Sequence, residues 1–164
     1  LAQEPVELAV LASEAVQAAR VTAPERRVTL ELPPGSARLR VRGDDARLRQ
    51  VLGNLVTNAL THTPAAAPVT VRLRDGGDGY AVLEVADGGP GLTPEQADRV
   101  FERFYRVDAA RSRHSGEATG TGLGLAIVAA IVAAHAGTVE VDSAPGAGAT
   151  FRVRLPLDAA PAVE

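Results

Sequence analysis

The chain has 164 residues, 46% of them apolar, which is enough for one ordinary domain with a real core and requires no second one. A net charge of −3 without a basic block or clustered aromatics gives no support for a nucleic-acid surface, and the longest apolar run, residues 123–134, is too short to span a bilayer. The absence of cysteine excludes a disulfide or a thiolate metal site, and with arginine as the only basic residue besides histidine any phosphate must be met by guanidinium or backbone N–H groups.

Residues 1–8 read as a boundary. Leu8, Leu11, Ala12, Ala15 and Ala19 recur at helical spacing behind Pro5, which predicts a helix over 6–20. Residues 27–32 (RVTLEL) and 38–42 (RLRVR) alternate apolar and polar side chains around PPGS and are predicted to be paired strands. Asp44 or Asp45 then caps a long helix over 44–63, DDARLRQVLGNLVTNALTHT, in which Leu48, Val51, Leu52, Leu55, Val56 and Ala59 form an apolar stripe. Asn54, Asn58 and His62 lie four apart on the neighbouring strip. Such amides are either structural groups satisfied by backbone or the polar border of a site.

Pro64 and Pro68 end that helix. Residues 69–74 (VTVRLR) and 80–85 (YAVLEV) alternate around GGDG and predict a second hairpin. The strand end runs into Ala86-Asp87-Gly88-Gly89-Pro90-Gly91-Leu92. This is a plain turn or a loop whose glycines let backbone approach a ligand, and the acid at the strand end favours the second reading. Residues 93–104 predict a short capped helix ending in FERFYR. Residues 108–119 (DAARSRHSGEAT) carry no apolar period and read as a mobile lid.

Gly120, Thr121, Gly122, Leu123 and Gly124 then open a helix running to about residue 134, with Gly137 as its C-cap. The free N–H groups and positive dipole end of such a first turn suit a phosphate, helix packing being the alternative use of the glycines. Leu125 stands where a dinucleotide fingerprint needs its third glycine, and the lysine of a Walker loop is missing. Residues 138–142 and 150–155, joined by SAPGAGA, complete a last hairpin, and residues 158–164 are predicted to fray. The sum is an α/β two-layer sandwich, an antiparallel-rich mixed sheet covered by helices on one face, with a core over about residues 5–156.

Four of these segments carry a family resemblance. RLRQVLGNLVTNALTHTP resembles the N box of two-component sensor histidine kinases, DGGPGL the G1 box, VFERFYR the F box and GTGLGLAIV the G2 box, in the same order and spacing. The resemblance implies the Bergerat ATP-binding fold shared with gyrase and Hsp90, with ATP and Mg²⁺ as cofactors. Carried over by position, Asp87 would accept from the adenine amino group while Gly89 and Gly91 let backbone pass close to the base. His62 stands where an aromatic often flanks adenine. Asn58 would give an oxygen to Mg²⁺, and Asn54 would position the phosphates. Arg106 would reach the terminal phosphate, Gly120 to Gly124 would wrap the phosphates, and Arg111 or Arg113 of the lid would assist.

Two departures stand out: Thr61 where many relatives carry lysine, and Gly88 where G1 has asparagine. No histidine here is followed by an acid and a proline, the phosphoacceptor context. The chain is therefore expected to be a single catalytic and ATP-binding domain, 1–164, on the cytoplasmic side of a membrane-bound sensor kinase. It would act on a histidine-bearing dimerisation domain of the same parent, with a response regulator downstream. An ATP-hydrolysing clamp is disfavoured because Asn54 replaces the glutamate base of gyrase and Hsp90. An anti-sigma-factor-type serine kinase or a non-catalytic nucleotide sensor are the remaining alternatives.

Overall fold

The computed structural model describes residues 1–103, 105 and 124–158. In chain order its elements are β1 (Glu4–Glu7), α1 (Leu8–Thr22), β2 (Val28–Glu31), β3 (Arg40–Gly43), α2 (Asp45–Thr61), β4 (Val69–Asp75) and β5 (Tyr80–Asp87). They are followed by α3 (Pro94–Arg99), α4 (Gly124–Ala134), β6 (Thr138–Ser143) and β7 (Ala149–Pro156). Five strands form one sheet in the order β2-β4-β5-β7-β6, antiparallel except for the β2–β4 pair, and β1 and β3 make a separate two-stranded sheet.

Alternation along the strands decides the layering. Val71, Leu73, Leu83, Val85, Phe151 and Val153 point to one face and share a buried core with Leu11 and Val16 of α1, Leu52 and Leu55 of α2, and Val128 and Val132 of α4. Polar side chains dominate the other face, with Val82 as a buried exception. There Glu84 is buried yet held by Arg152 at 2.7 Å and Arg72 at 3.1 Å, and Arg152 continues to Glu140 and Asp142. Burial pushes the Glu84 carboxyl up, but these guanidinium hydrogen bonds outweigh it and hold the pKa below the ordinary value.

The cap of α2 is Asp44, whose Oδ1 accepts from the N–H of Arg47 at 3.1 Å. The Asp44 N–H in turn donates to Nε2 of buried His135 at 3.1 Å, while the opposite ring nitrogen, Nδ1, lies 2.8 Å from the Ile131 carbonyl. One histidine thus ties the end of α4 to the start of α2, and the two helices lie against each other.

Several expected features differ. The strands at 27–32 and 38–42 do not pair with each other: Val28 lies beside Val69 in a parallel register, and Val41 lies opposite Val6 in β1. The PPGS segment leads into a one-turn 3-10 helix, Ser36–Arg38, instead of a tight reversal, so the two strands find separate partners. Residues 1–8 are accordingly more than a boundary, and α1 begins at Leu8. Pro5 belongs to β1, a two-stranded edge where its missing N–H costs no ladder bond to a second neighbour.

The helix expected over 93–104 ends at Arg99. A capping box between Thr93 and Gln96 starts it, but Glu102 and Tyr105 donate to the carbonyls three residues back, at 2.9 and 3.2 Å, so the chain tightens into turns. At the end of α4 the left-handed residue is Ala136, with φ 61°, and not Gly137. The Gly137 N–H reaches back to the Val132 carbonyl at 2.9 Å and closes the helix from one position further on. The predicted fraying of 158–164 lies outside the described residues except at Asp158, whose N–H donates to the Arg40 carbonyl at 2.7 Å.

Candidate nucleotide-binding site

The site is built along α2. Its apolar stripe is buried as the spacing requires, which leaves Asn54 and Asn58 half-buried along the border of the packed face and His62 exposed at the C-cap. Asn54 donates from Nδ2 to the carbonyl of Gly124 at 3.2 Å, linking α2 to the first residue of α4. With its nitrogen so used, the amide presents an acceptor oxygen at its other end. Asn58 and His62 are one turn apart, and the His62 N–H closes the helix on the Asn58 carbonyl at 3.1 Å.

Beyond the helix end lies Asp87, the last residue of β5. Its Oδ1 accepts from the Gly89 N–H at 2.9 Å, so the side chain folds the loop around itself. Burial pushes the Asp87 carboxyl above the usual range, against the opposing pull of the Gly89 and Ala149 N–H groups and the positive fields of His62 and Arg26. Gly89 lies against Thr63: a methyl group at Gly89 would come within 2.5 Å of the Thr63 side-chain methyl. Gly91 has φ 77°, and a side chain there would overlap the Ala144 carbonyl.

The β6–β7 turn buttresses the same loop. The Gly146 N–H donates to the Pro90 carbonyl at 2.7 Å. Ser143 Oγ accepts from the Leu92 N–H at 2.8 Å and donates to the Gly148 carbonyl at 2.7 Å. A loop with three glycines is thereby held on two sides, by the end of α2 and by the last hairpin.

The structure thus brings Asp87, Gly89 and His62 to one end of α2 and joins Asn54 to Gly124 about two turns away, roughly 12 Å along the axis. Arg106, Gly120, Thr121, Gly122 and Leu123, like the lid at 108–119 with Arg111 and Arg113, lie outside the described residues. Three contributors were not picked out in the sequence: Arg26, Thr63 and Ser143. Arg26 reaches the helix end from the α1–β2 connection, and Ser143 acts across two turns, so neither contact has a periodicity to betray it. Thr63 follows the helix directly and could have been read as a cap-side hydroxyl.

Residues 43–159 match the family described as histidine kinase-, DNA gyrase B-, and HSP90-like ATPase. Over 158 residues the chain is 47% identical to the probable sensor histidine kinase TcrY of Mycobacterium tuberculosis, covering 96% of this chain and 32% of that protein. It is 42% identical over 151 residues to the sensor-like histidine kinase SenX3 of Mycobacterium bovis, covering 92% and 36%. The chain therefore spans about a third of the length of these curated relatives.

Among solved structures, the mycobacterial sensor histidine kinase MprB superposes with a TM-score of 0.79 at 30% identity, over 94% of this chain and 97% of that one. Full-length ShkA in complex with AMPPNP gives 0.82 at 32% identity, over 99% and 32%. A mostly antiparallel mixed sheet under helices, an asparagine-edged helix meeting a glycine loop, and this company of relatives lead to one assignment: the chain belongs to the histidine kinase-, DNA gyrase B-, and HSP90-like ATPase family, as a histidine kinase catalytic domain.

Proposed function

We propose that this domain binds ATP with Mg²⁺ and delivers the γ-phosphoryl group to a histidine on a separate dimerisation domain of its parent protein, for onward transfer to a response regulator. The observation that carries the reading is the Asp87 loop. A carboxylate fixed by the Gly89 N–H at a strand end, in a glycine loop beside the asparagine helix, suits an exocyclic amine such as that of adenine. Gly89 and Gly91 let backbone pass close to the base, and His62 flanks it. The relative ShkA, solved with AMPPNP, supports an adenine nucleotide as the ligand.

Asn58 fits the metal: its half-buried amide offers a hard oxygen, and Mg²⁺ takes most of its ligands from water and phosphate, needing only one or two from protein. When bound, the ion offsets phosphate charge along the triphosphate. Asn54, oriented through Gly124, positions the phosphates. The N–H groups of Gly120, Thr121, Gly122, Leu123 and Gly124 wrap them, and Arg106 meets the terminal one. Thr61 brings no charge to this end, so the arginine and backbone donors do that work.

The distinction from an ATP-hydrolysing clamp rests on Asn54. An amide cannot take a proton from water, a role worth about 10²- to 10⁴-fold in rate. Phosphoryl transfer to a histidine needs positioning and charge stabilisation, which amides, glycines and arginine supply. The parent is proposed to be a membrane-bound sensor with this domain on its cytoplasmic side. No helix among the described residues is long and apolar enough to cross a membrane.

The test follows radiolabelled ATP on a gel. This chain alone should bind Mg-ATP, hydrolyse it slowly and take up no label, and a separately made histidine-bearing dimerisation domain should become labelled when added. Asn58→Ala should abolish that transfer. Acid-labile, alkali-stable label on this chain alone would show that the acceptor lies within it, and rapid release of free phosphate would favour the hydrolase.

A further inference from the structure

Arg26 is a charged side chain buried at the end of α2 that forms no ion pair among the described residues. From the connection between α1 and β2 its guanidinium enters the end of α2, donating from Nη1 to the Leu60 carbonyl at 2.9 Å and from Nη2 to Thr63 Oγ1 at 2.6 Å and the Ala67 carbonyl at 3.2 Å. Its Nε–H is buried and meets no acceptor among the described residues. Burying a cation and leaving one donor unmet is costly, so the fork must return something at this place. What it gathers is the exposed carbonyl end of a helix, where a positive charge is favoured, and the loop that follows.

Thr63 is the link to the site. Its hydroxyl accepts from Arg26 and donates to the Ala59 carbonyl at 2.6 Å, which fixes the rotamer. Its methyl is thereby turned onto Gly89, the residue whose N–H holds Asp87. A chain of contacts therefore runs from Arg26 through Thr63 and Gly89 to the Asp87 carboxylate. Among the described residues, His62 and Arg26 bear on Asp87 and pull its carboxyl down, against the larger push of burial.

We infer that Arg26 is a positioning residue for the base end of the site, clamping the last turn of α2 and Thr63 against Gly89 so that Asp87 keeps the geometry and charge with which it meets the nucleobase. The inference rests on the reading of Asp87 as the partner of adenine. Arg26 acts through Thr63 and Gly89 and does not itself touch the nucleotide. Its effect is on recognition of the base and leaves the phosphate end, at Asn54 and Gly124, unchanged.

The experiment uses the whole domain with Arg26→Met, Arg26→Lys and Thr63→Val. The Asp87 carboxyl is titrated by NMR without nucleotide, and ATP affinity is then measured by calorimetry well below the unfolding temperature. Arg26→Met should move the Asp87 titration further up and weaken ATP about tenfold. Arg26→Lys, which keeps the charge and loses the fork, should leave the titration near wild type and still weaken ATP. Thr63→Val, which keeps a methyl toward Gly89 and loses the hydroxyl, should weaken ATP by less than Arg26→Met, and the double variant should be no worse than Arg26→Met alone.

Folded variants with wild-type affinity and a wild-type Asp87 titration overturn the clamp, even if their melting temperatures fall, since a purely structural role would show only the latter. If Arg26→Met does not fold, Thr63→Val and Arg26→Lys decide by the same two readings. Failure of the wild-type chain to bind ATP would sink the adenine reading, whereas the Asp87 titration, taken without nucleotide, still judges the clamp.

Discussion

Two carboxylates three residues apart on β5 are treated in opposite ways. Glu84, on the polar face, is surrounded by arginines and held below its ordinary pKa, whereas Asp87, at the strand end, is raised by burial. A raised carboxyl means that the fold prefers the protonated acid. The stability Asp87 contributes is therefore fully present only at acid pH and is lost as the pH rises through its folded pKa. Its charge at neutral pH works against the fold, a pattern suited to a group kept for binding. Asp87→Asn retains an oxygen for the Gly89 N–H and removes the charge. ATP binding should weaken by about 1.5–3 kcal/mol, the worth of a hydrogen bond to a charged group, with discrimination against GTP reduced. The melting temperature at neutral pH should stay equal or rise, and the difference should vanish only well below the free carboxyl's pKa of about 3.9, where the acid is protonated in both states. Calorimetric titration and melts at two pH values check this, and a variant that binds ATP normally or melts lower at neutral pH contradicts it.

At the scale of elements, the base loop works because it is wedged between the end of α2 and the β6–β7 turn. Gly91→Ala places a methyl against the Ala144 carbonyl at a positive φ, a strain of about 1–3 kcal/mol. The loop should shift, lowering both the melting temperature and ATP affinity, and a folded variant with unchanged affinity would detach this loop from the base. The helices and strands themselves were legible where side-chain period alone decides them. All six apolar positions foreseen on α2 are buried, and each of the six foreseen strands exists. Period says which face a strand buries and nothing about its neighbour, so the partners of Val28 and Val41 were missed. For the same reason Asn54, Asn58 and Asp87 could be picked out locally, while the Arg26–Thr63 contact, made between distant residues, could not. The shortening of α3 escaped because 3-10 and α turns share their composition.

For the molecule as a whole, the family match begins at residue 43, but the folded unit begins earlier. Leu11 and Val16 of α1 and Val28 of β2 are core residues, and β2 covers the outer edge of β4. A fragment over 43–159 would expose that edge and one side of α2, so it should be insoluble or lack cooperative melting, whereas the full chain melts in one transition; expression and circular dichroism of both compare them. The parallel pairing of β2 with β4 carries this further. Everything between those strands, α2 included, is the crossover of a parallel pair. Such a crossover closes only when its two distant ends meet, and the entropy of that closure is lost before the contacts compensate it. The helix that carries the asparagines lies inside that crossover, so its seating on the sheet and the pairing of Val28 with Val69 belong to the same non-local closure.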